Sequence, residues 1–294
     1  MKKIFLLCVS LFTAGLVFSQ PATHTQPAAH TLLWKITGNG LKKPSYLFGT
    51  MHVLCEDDAM LSERFKNVIA ECDEVYFEIN LVDINGIINS LKYMRMNDSR
   101  KLSDLLNDSD YLKVKKYFTT HGSKLPFGML ERLKPLLISS LIEEDNMNCK
   151  ATDGMEFVIM KEARVHDKKI NGFETAEFQA GLFDSIPYEK QARELIESID
   201  SLDQHKKNTD SLVAVYKRQD LDKIDEMSRK EDPGMDGYMD LLLYDRNRKW
   251  VKALGSLLSA KSLIVAVGAA HLPGDLGLIS LLKKSGYKVE PLKN

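Results

Sequence analysis

Residues 262–289 read SLIVAVGAAHLPGDLGLISLLKKSGYKV. The opening SLIVAVG is a continuous apolar run, the pattern of a strand covered on both faces by helices. Gly268 then permits a sharp turn or a close backbone approach. His271 follows three residues later, 276–284 has helical spacing, and a final strand is expected at 287–292. Strand, turn, helix and strand in this order indicate an α/β fold. In such folds ligands lie beyond the carboxyl ends of the strands, which is where His271 falls.

A second unit of the same kind stands near the start. SYLFG at 45–49 reads as a strand, Gly49-Thr50-Met51-His52 repeats the GxxH spacing, 61–70 has helical periodicity, and EVYFEI at 74–79 returns to strand. Before it, LLWKIT at 32–37 is strand-like and Gly38-Asn39-Gly40 signals a turn. Between the two units the chain is helix-rich: helices are expected at 82–94, 111–118, 130–142 (Pro126 in its first turn), 155–163 and 241–258. The charged stretch 187–230 is helix-like, and KINGF at 169–173 is a short strand. The fold class is therefore α/β, with a central sheet built from N- and C-terminal strand–GxxH–helix units and a helix-rich middle. A single domain is expected over 32–294, with a helical insertion at about 185–258.

The chain has 294 residues, 44% hydrophobic and 28% charged, enough to bury a substantial core. Lys plus Arg number 40 and Asp plus Glu 41, so no basic excess points to nucleic acid. The first 19 residues differ in character. Lys2 and Lys3 precede an apolar run at 4–18, and Val17 and Ser19 occupy the −3 and −1 positions of a cleavage site before Gln20. This is the layout of a secretory signal peptide. The run is shorter than the roughly 20 residues a bilayer span needs, and an uncleaved anchor is the alternative. Loss of the leader leaves 38 basic against 41 acidic residues and no membrane span in the mature chain. A flexible lead-in is expected at 20–31. Export implies a periplasmic or extracellular location.

Of four cysteines, Cys8 leaves with the leader. Cys55, Cys72 and Cys149 allow at most one internal disulfide. Cys55 and Cys72 flank the first expected helix and are the expected pair, with three reduced thiols as the alternative. No CxxC is present to suggest a zinc–thiolate centre.

Two histidines at strand ends, His52 and His271, are either site residues or core histidines that satisfy hydrogen bonds. Two glutamates sit at comparable places. Glu78 lies among Tyr76, Phe77 and Ile79, so it needs a partner, and Arg246 can supply one. Glu174 follows KINGF at a strand-to-helix turn, where it also suits a helix N-terminus. Arg246 follows the apolar run 241–244 and is expected to be buried against a site carboxylate, since a guanidinium fork orients a carboxylate and keeps it ionised. Together His52, His271, Glu78 and Glu174 make a plausible N₂O₂ set for a divalent ion or a His–Glu acid–base cluster.

The segments YLFGTMHV, FEIN, INGFETAEFQ and DRNRKW, with the stretch quoted first, resemble the TraB/GumN family. That family includes Tiki-type metalloproteases and TraB/PrgY pheromone-shutdown proteins, and is distantly similar to erythromycin esterases and ChaN-like haem-binding proteins. The resemblance covers nearly all of the mature chain. It implies that His52 and His271 are the motif histidines, Glu78 the acid after the first motif, and Glu174 and Gln179 the acid and amide of a LET-like turn. Arg246 and Asn247 match its RN pair. Where the family often has Gly-x-Asp, this chain has Gly154-Met155-Glu156. The expected activity is metal-dependent peptide hydrolysis, with His52, Glu78, His271 and Arg246 catalytic, and His52, Glu78, Glu174 and His271 as metal ligands. Gln179, Asn247 and Glu156 are expected to support substrate or ligands. The absence of HExxH and the carboxylate-rich set favour a Mn²⁺-like ion, with Zn²⁺ or Co²⁺ as alternatives. Two further readings stay open: a metal-free His/Glu hydrolase of erythromycin-esterase type, and a non-catalytic protein that sequesters a peptide or haem. The partner is a peptide or small molecule.

Intact-mass measurement of the exported protein should give a chain beginning near Gln20. A cytoplasmic protein retaining Met1 would overturn the export reading.

Overall fold

The computed structural model describes residues 30–123, 125–147, 149, 151–230 and 236–294. The expected leader at 1–19 and nearly all of the lead-in at 20–31 lie outside the described residues. The strands are β1 (Leu33–Gly38), β2 (Ser45–Thr50), β3 (Leu54–Cys55), β4 (Glu74–Ile79), β5 (Thr152–Asp153), β6 (Lys169–Glu174), β7 (Leu263–Gly268) and β8 (Tyr287–Pro291). The helices are α1 (Glu63–Glu71), α2 (Ile84–Ser90), α3 (Asp108–His121), α4 (Phe127–Leu130), α5 (Pro135–Asp145), α6 (Met155–Val165), α7 (Ala176–Leu182), α8 (Tyr188–Asp200), α9 (Leu202–Lys217), α10 (Leu221–Lys230), α11 (Asp245–Ala260) and α12 (Leu278–Lys284).

Six strands form one sheet in the order β6-β4-β7-β2-β1-β8. The run β6, β4, β7 and β2 is parallel, and β1 is antiparallel to both β2 and β8. The two GxxH strands are therefore neighbours, with Thr50 opposite Gly268. Their composition follows from this place. Every residue of β2 is buried, as are Leu263 to Val267 of β7, so neither strand alternates with polar residues. The α/β class expected from the sequence is the one observed.

Helices α1, α6, α9, α10, α11 and α12 bury apolar faces in the main core with the sheet. In α1, Phe65 stacks on Phe48 of β2 at 4.1 Å between ring centroids. Ser62 caps this helix by accepting the Phe65 amide. A second apolar cluster joins Leu102, Val114, Leu130, Ile138 and Leu195, drawn from the segment before α3 and from α3, α4, α5 and α8. The charged stretch 187–230 resolves into α8, α9 and α10. Among the described residues no helix is long and apolar enough to cross a membrane.

Two expectations are corrected. The helix expected at 130–142 begins at Pro135, and Phe127–Leu130 is a separate short turn with Pro126 at its cap. Pro135 has no amide hydrogen to continue a helix from Leu130, but it suits the first position of a new one. The disulfide joins Cys55 to Cys149, not to Cys72, with Cα atoms 5.6 Å apart. The reason is the small β3–β5 ladder, which draws the chain after His52 against the chain before Glu156. Cys72 is a buried free thiol beside Ser262, at the start of β7.

A chain that begins at Gln20, unfolded without reductant, should show one titratable thiol, and in its native state almost none. The Cys55→Ser/Cys149→Ser pair closes no loop of 94 residues and should lose about 2–5 kcal/mol in urea unfolding.

Candidate active site

The parallel order places four side chains along one edge. From β6 to β2 the strand ends carry Glu174, Glu78, the Gly268–His271 turn and the Thr50–His52 turn. All four strands run the same way, so all four ends open on the same rim. Gly268 is the centre. A Cβ there would lie 3.2 Å from Glu78 Oε1, 3.6 Å from His52 Nε2 and 3.6 Å from His271 Cδ2. Any larger residue would enter the space the three groups share.

His52 is held by its Nδ1, 2.7 Å from Glu156 Oε1. Thr50 donates to the same oxygen at 2.5 Å. Glu156 thus reaches two residues of the GTMH turn. Gly154 makes this approach possible, because a Cβ there would stand 2.6 Å from the His52 carbonyl. The Met155 amide also donates to Met51 O at 3.1 Å. The His52 side chain remains 65% exposed while Glu156 is 12% exposed. Burial would lower the His52 pKa, but the hydrogen bond and charge of Glu156 outweigh it and raise it to about 9. Solvent at the open ring screens part of that attraction. The Glu156 carboxyl is held low: burial opposes this, and the His52 and Thr50 contacts prevail.

His271 is buried and held differently. Asn247 Nδ2 donates to two carbonyls, His271 O at 3.2 Å and Leu276 O at 2.9 Å. Its Oδ1 is therefore the acceptor for His271 Nδ1–H, at 2.7 Å. That leaves His271 Nε2 with a lone pair, 3.6 Å from Glu78 Oε1 and 3.3 Å from Arg246 Nη1. Burial holds the His271 pKa down, to about 4, so the ring is neutral near pH 7.

Arg246 lies over Trp250, 4.8 Å from ring centroid to guanidinium carbon. Its Nη2 donates to Glu78 Oε2 at 2.5 Å and to Glu174 Oε2 at 2.9 Å, and Nε reaches both Glu174 oxygens at 3.1 Å. Gln179 bridges the same two carboxylates at 3.0 Å each. Trp250 Nε1 donates to Glu174 Oε1 at 3.0 Å and its ring lies 4.6 Å from that of His271. Burial would raise the Glu78 carboxyl, but the charges of His271, Arg246 and His52 and the Gly268 amide bring it down to about 2. With His271 neutral, Arg246 and the Gly268 N–H, 2.8 Å from Oε1, keep Glu78 ionised.

The rim thus brings together His52, Glu78, His271, Arg246 and Gln179, all lining one cavity of about 360 Å³. Glu156 and Asn247 stand behind the two histidines. Glu174, grouped with the ligands by sequence, has both oxygens occupied by Arg246, Trp250 and Gln179. Among the described residues, no group of three or more His, Cys, Asp or Glu is set to hold a metal ion. Trp250 and Thr50 were missed. Trp250 follows Arg246 by four on one helix, the spacing of a shared face, and Thr50 sits inside the first GxxH.

The chain matches the TraB/PrgY/gumN family over residues 32–291. It belongs to that family. Among its relatives, a metalloprotease TIKI homolog of Amphimedon queenslandica is 25% identical, over 99% of this chain and 66% of the relative. Metalloprotease TIKI2 of Danio rerio and metalloprotease TIKI1 of Homo sapiens are each 23% identical, over 90% of this chain and 62% of theirs. The chain therefore spans less than two thirds of these relatives' length. No solved structure matches it significantly.

Arg246→Ala leaves Glu78 and Glu174 buried without their cation and should cost about 3–5 kcal/mol in urea unfolding. Adding Glu174→Gln should recover part of that loss; a purely additive loss would show that the two groups do not interact.

Proposed function

We propose that this chain is an exported, metal-assisted hydrolase of peptide bonds, with the catalytic groups gathered around Gly268. The observation that carries the reading is that His52 Nε2, Glu78 Oε1 and the His271 ring meet at one glycine and line one cavity. The relatives' names as metalloproteases support the peptide substrate and the ion. The leader-like residues 1–19 support export.

By donor type His52, Glu78 and His271 suit a divalent ion, since each imidazole has Nδ1 held by a second residue and Nε2 left over. Their spacing as found does not close around one, and Arg246 donates to both Glu78 and His271. His52, Glu78 and His271 are the residues that would hold the ion, and Glu174 serves Arg246. The preference for Mn²⁺ rests on two carboxylates in the set; with Glu174 taken by Arg246, two imidazoles and one carboxylate suit Zn²⁺ or Co²⁺ as well as Mn²⁺. A divalent ion in such a site supplies an acidified water and polarises the scissile carbonyl.

The remaining chemistry comes from the chain itself. Glu156 holds Nδ1 of His52 and leaves Nε2 for the cavity, the orientation a ligand needs; in a metal-free reaction the same Nε2 would instead carry the proton passed to the leaving amine. Asn247 fixes the His271 tautomer. Arg246 keeps Glu78 anionic and in place. A second reading, a metal-free His/Glu hydrolase, is favoured by one observation: Arg246 already supplies a cation to Glu78 and His271.

Peptide-library cleavage, with and without chelator, separates the two. Under the first reading, activity falls at least tenfold with chelator and returns with Mn²⁺, Zn²⁺ or Co²⁺. His52→Ala and Glu78→Gln should each remove activity while shifting the thermal midpoint by only a few degrees. Full activity after exhaustive chelation, with no metal bound by elemental analysis, would select the metal-free reading.

A further inference from the structure

The 360 Å³ cavity is not the only space that reaches His52. A groove of about 930 Å³ runs from His52 between α5, α8 and α9. Met51, His52, Leu212 and Ser228 border both spaces. His52 therefore stands at a junction, with room on either side of its exposed ring. The two sides differ in chemistry. On the cavity side the wall is apolar: Leu182, Phe183, Leu212, Ile224 and Leu243 surround the approach to Gly268. On the groove side the wall is charged and polar: Glu143, Glu144, Glu194 and Glu197 stand with Lys190 and Arg193, and Ser140 and Asn208 lie among them.

We propose that this site binds a polypeptide chain lying extended across His52, with a bulky apolar side chain in the cavity and flanking residues in the groove. The inference deepens the hydrolase reading and rests on it for one consequence, that the cut falls inside the chain and not at a terminus. Four observations lead here. A pocket for a single small ligand typically measures about 300–1,000 Å³, and the two spaces, which share Met51, His52, Leu212 and Ser228, together exceed that range. A site for one terminal residue would be closed on one side of the catalytic group, and this one is open on both. The apolar side matches burial of a large aliphatic or aromatic side chain, worth about 1.5–3 kcal/mol. The polar side suits a peptide main chain, which must have its N–H and C=O groups satisfied.

The test uses labelled ten-residue peptides, N-acetylated and C-amidated, identical except for Leu, Phe, Ala or Asp at one central position. Binding is read by fluorescence anisotropy on the Glu78→Gln protein, and cleavage products of the unaltered protein by mass spectrometry. The capped Leu and Phe peptides should bind at least tenfold tighter than the Ala or Asp peptides. Any cut should fall next to the apolar residue. Leu243→Glu should abolish that preference and Leu243→Met should retain it, which separates a pocket effect from misfolding. Ser140→Trp, at an exposed groove position, should weaken the ten-residue peptides at least tenfold and leave a capped tripeptide unchanged. Equal binding of all four peptides, binding only of peptides with a free terminus, or indifference to Ser140→Trp would each overturn the proposal. If the capped Leu peptide binds as described and no peptide is ever cut, the groove stands and the hydrolase reading falls.

Discussion

The Arg246 guanidinium between Glu78 and Glu174 is the interaction on which the rest of the site depends. β4 and β6 are parallel neighbours that each end in a carboxylate on the same rim. Two buried carboxylates side by side repel strongly, and in a low-dielectric setting one would take up a proton unless a cation intervened. Arg246 intervenes with a planar fork that serves both at once, a geometry that a lysine ammonium could not reproduce. The bond also docks α11 against the sheet edge. Asn247 and Trp250 come with it, so the orientation of His271 and the burial of Glu174 both follow from one ion cluster.

The two histidines are then set unlike each other by their partners. His52 is solvent-exposed and backed by an ionised carboxylate; His271 is buried and backed by a neutral amide. A carboxylate behind an imidazole favours its charged form, and an amide in a buried site does not. The rim therefore carries one imidazole suited to proton transfer and one suited to offering a lone pair. Both face Glu78 of β4, whose Oε1 accepts from the Gly268 amide at the end of the neighbouring β7. The glycine matters at this point as absence of volume: the three groups meet only because nothing projects from residue 268.

The sheet and its rim were legible in the sequence because their signals are local. SLIVAVG has the composition that burial on both faces demands, and the GxxH spacing puts a histidine just past a strand end. Glu78 was legible because a carboxylate among Tyr76, Phe77 and Ile79 must have a partner. The partners of partners were not legible. Cys149 reaches Cys55 through a two-strand ladder of two residues each, too short to leave a pattern in composition. Thr50 bonds Glu156 across 106 positions of chain, and no periodicity reports such a contact. The start of α5 was misplaced by reading the apolar spacing through Pro135, although proline's missing donor marks the boundary.

The walls of the site come from a different part of the chain than its chemistry. Every charged group at the rim follows a strand of the sheet or lies on α6 or α11. The groove wall comes largely from α5, α8 and α9 and the cavity wall from α7, α9, α10 and the turn before α11. Stability and selectivity are thereby separated in physical terms. The strand ends are constrained by buried charge balance, where one altered group leaves another unpaired. The helical wall of the cavity is apolar at Leu182, Leu212 and Ile224, positions that can change size without stranding a charge. A site built this way can hold its reacting groups constant while the shape of what it accepts is set by the helices packed around it.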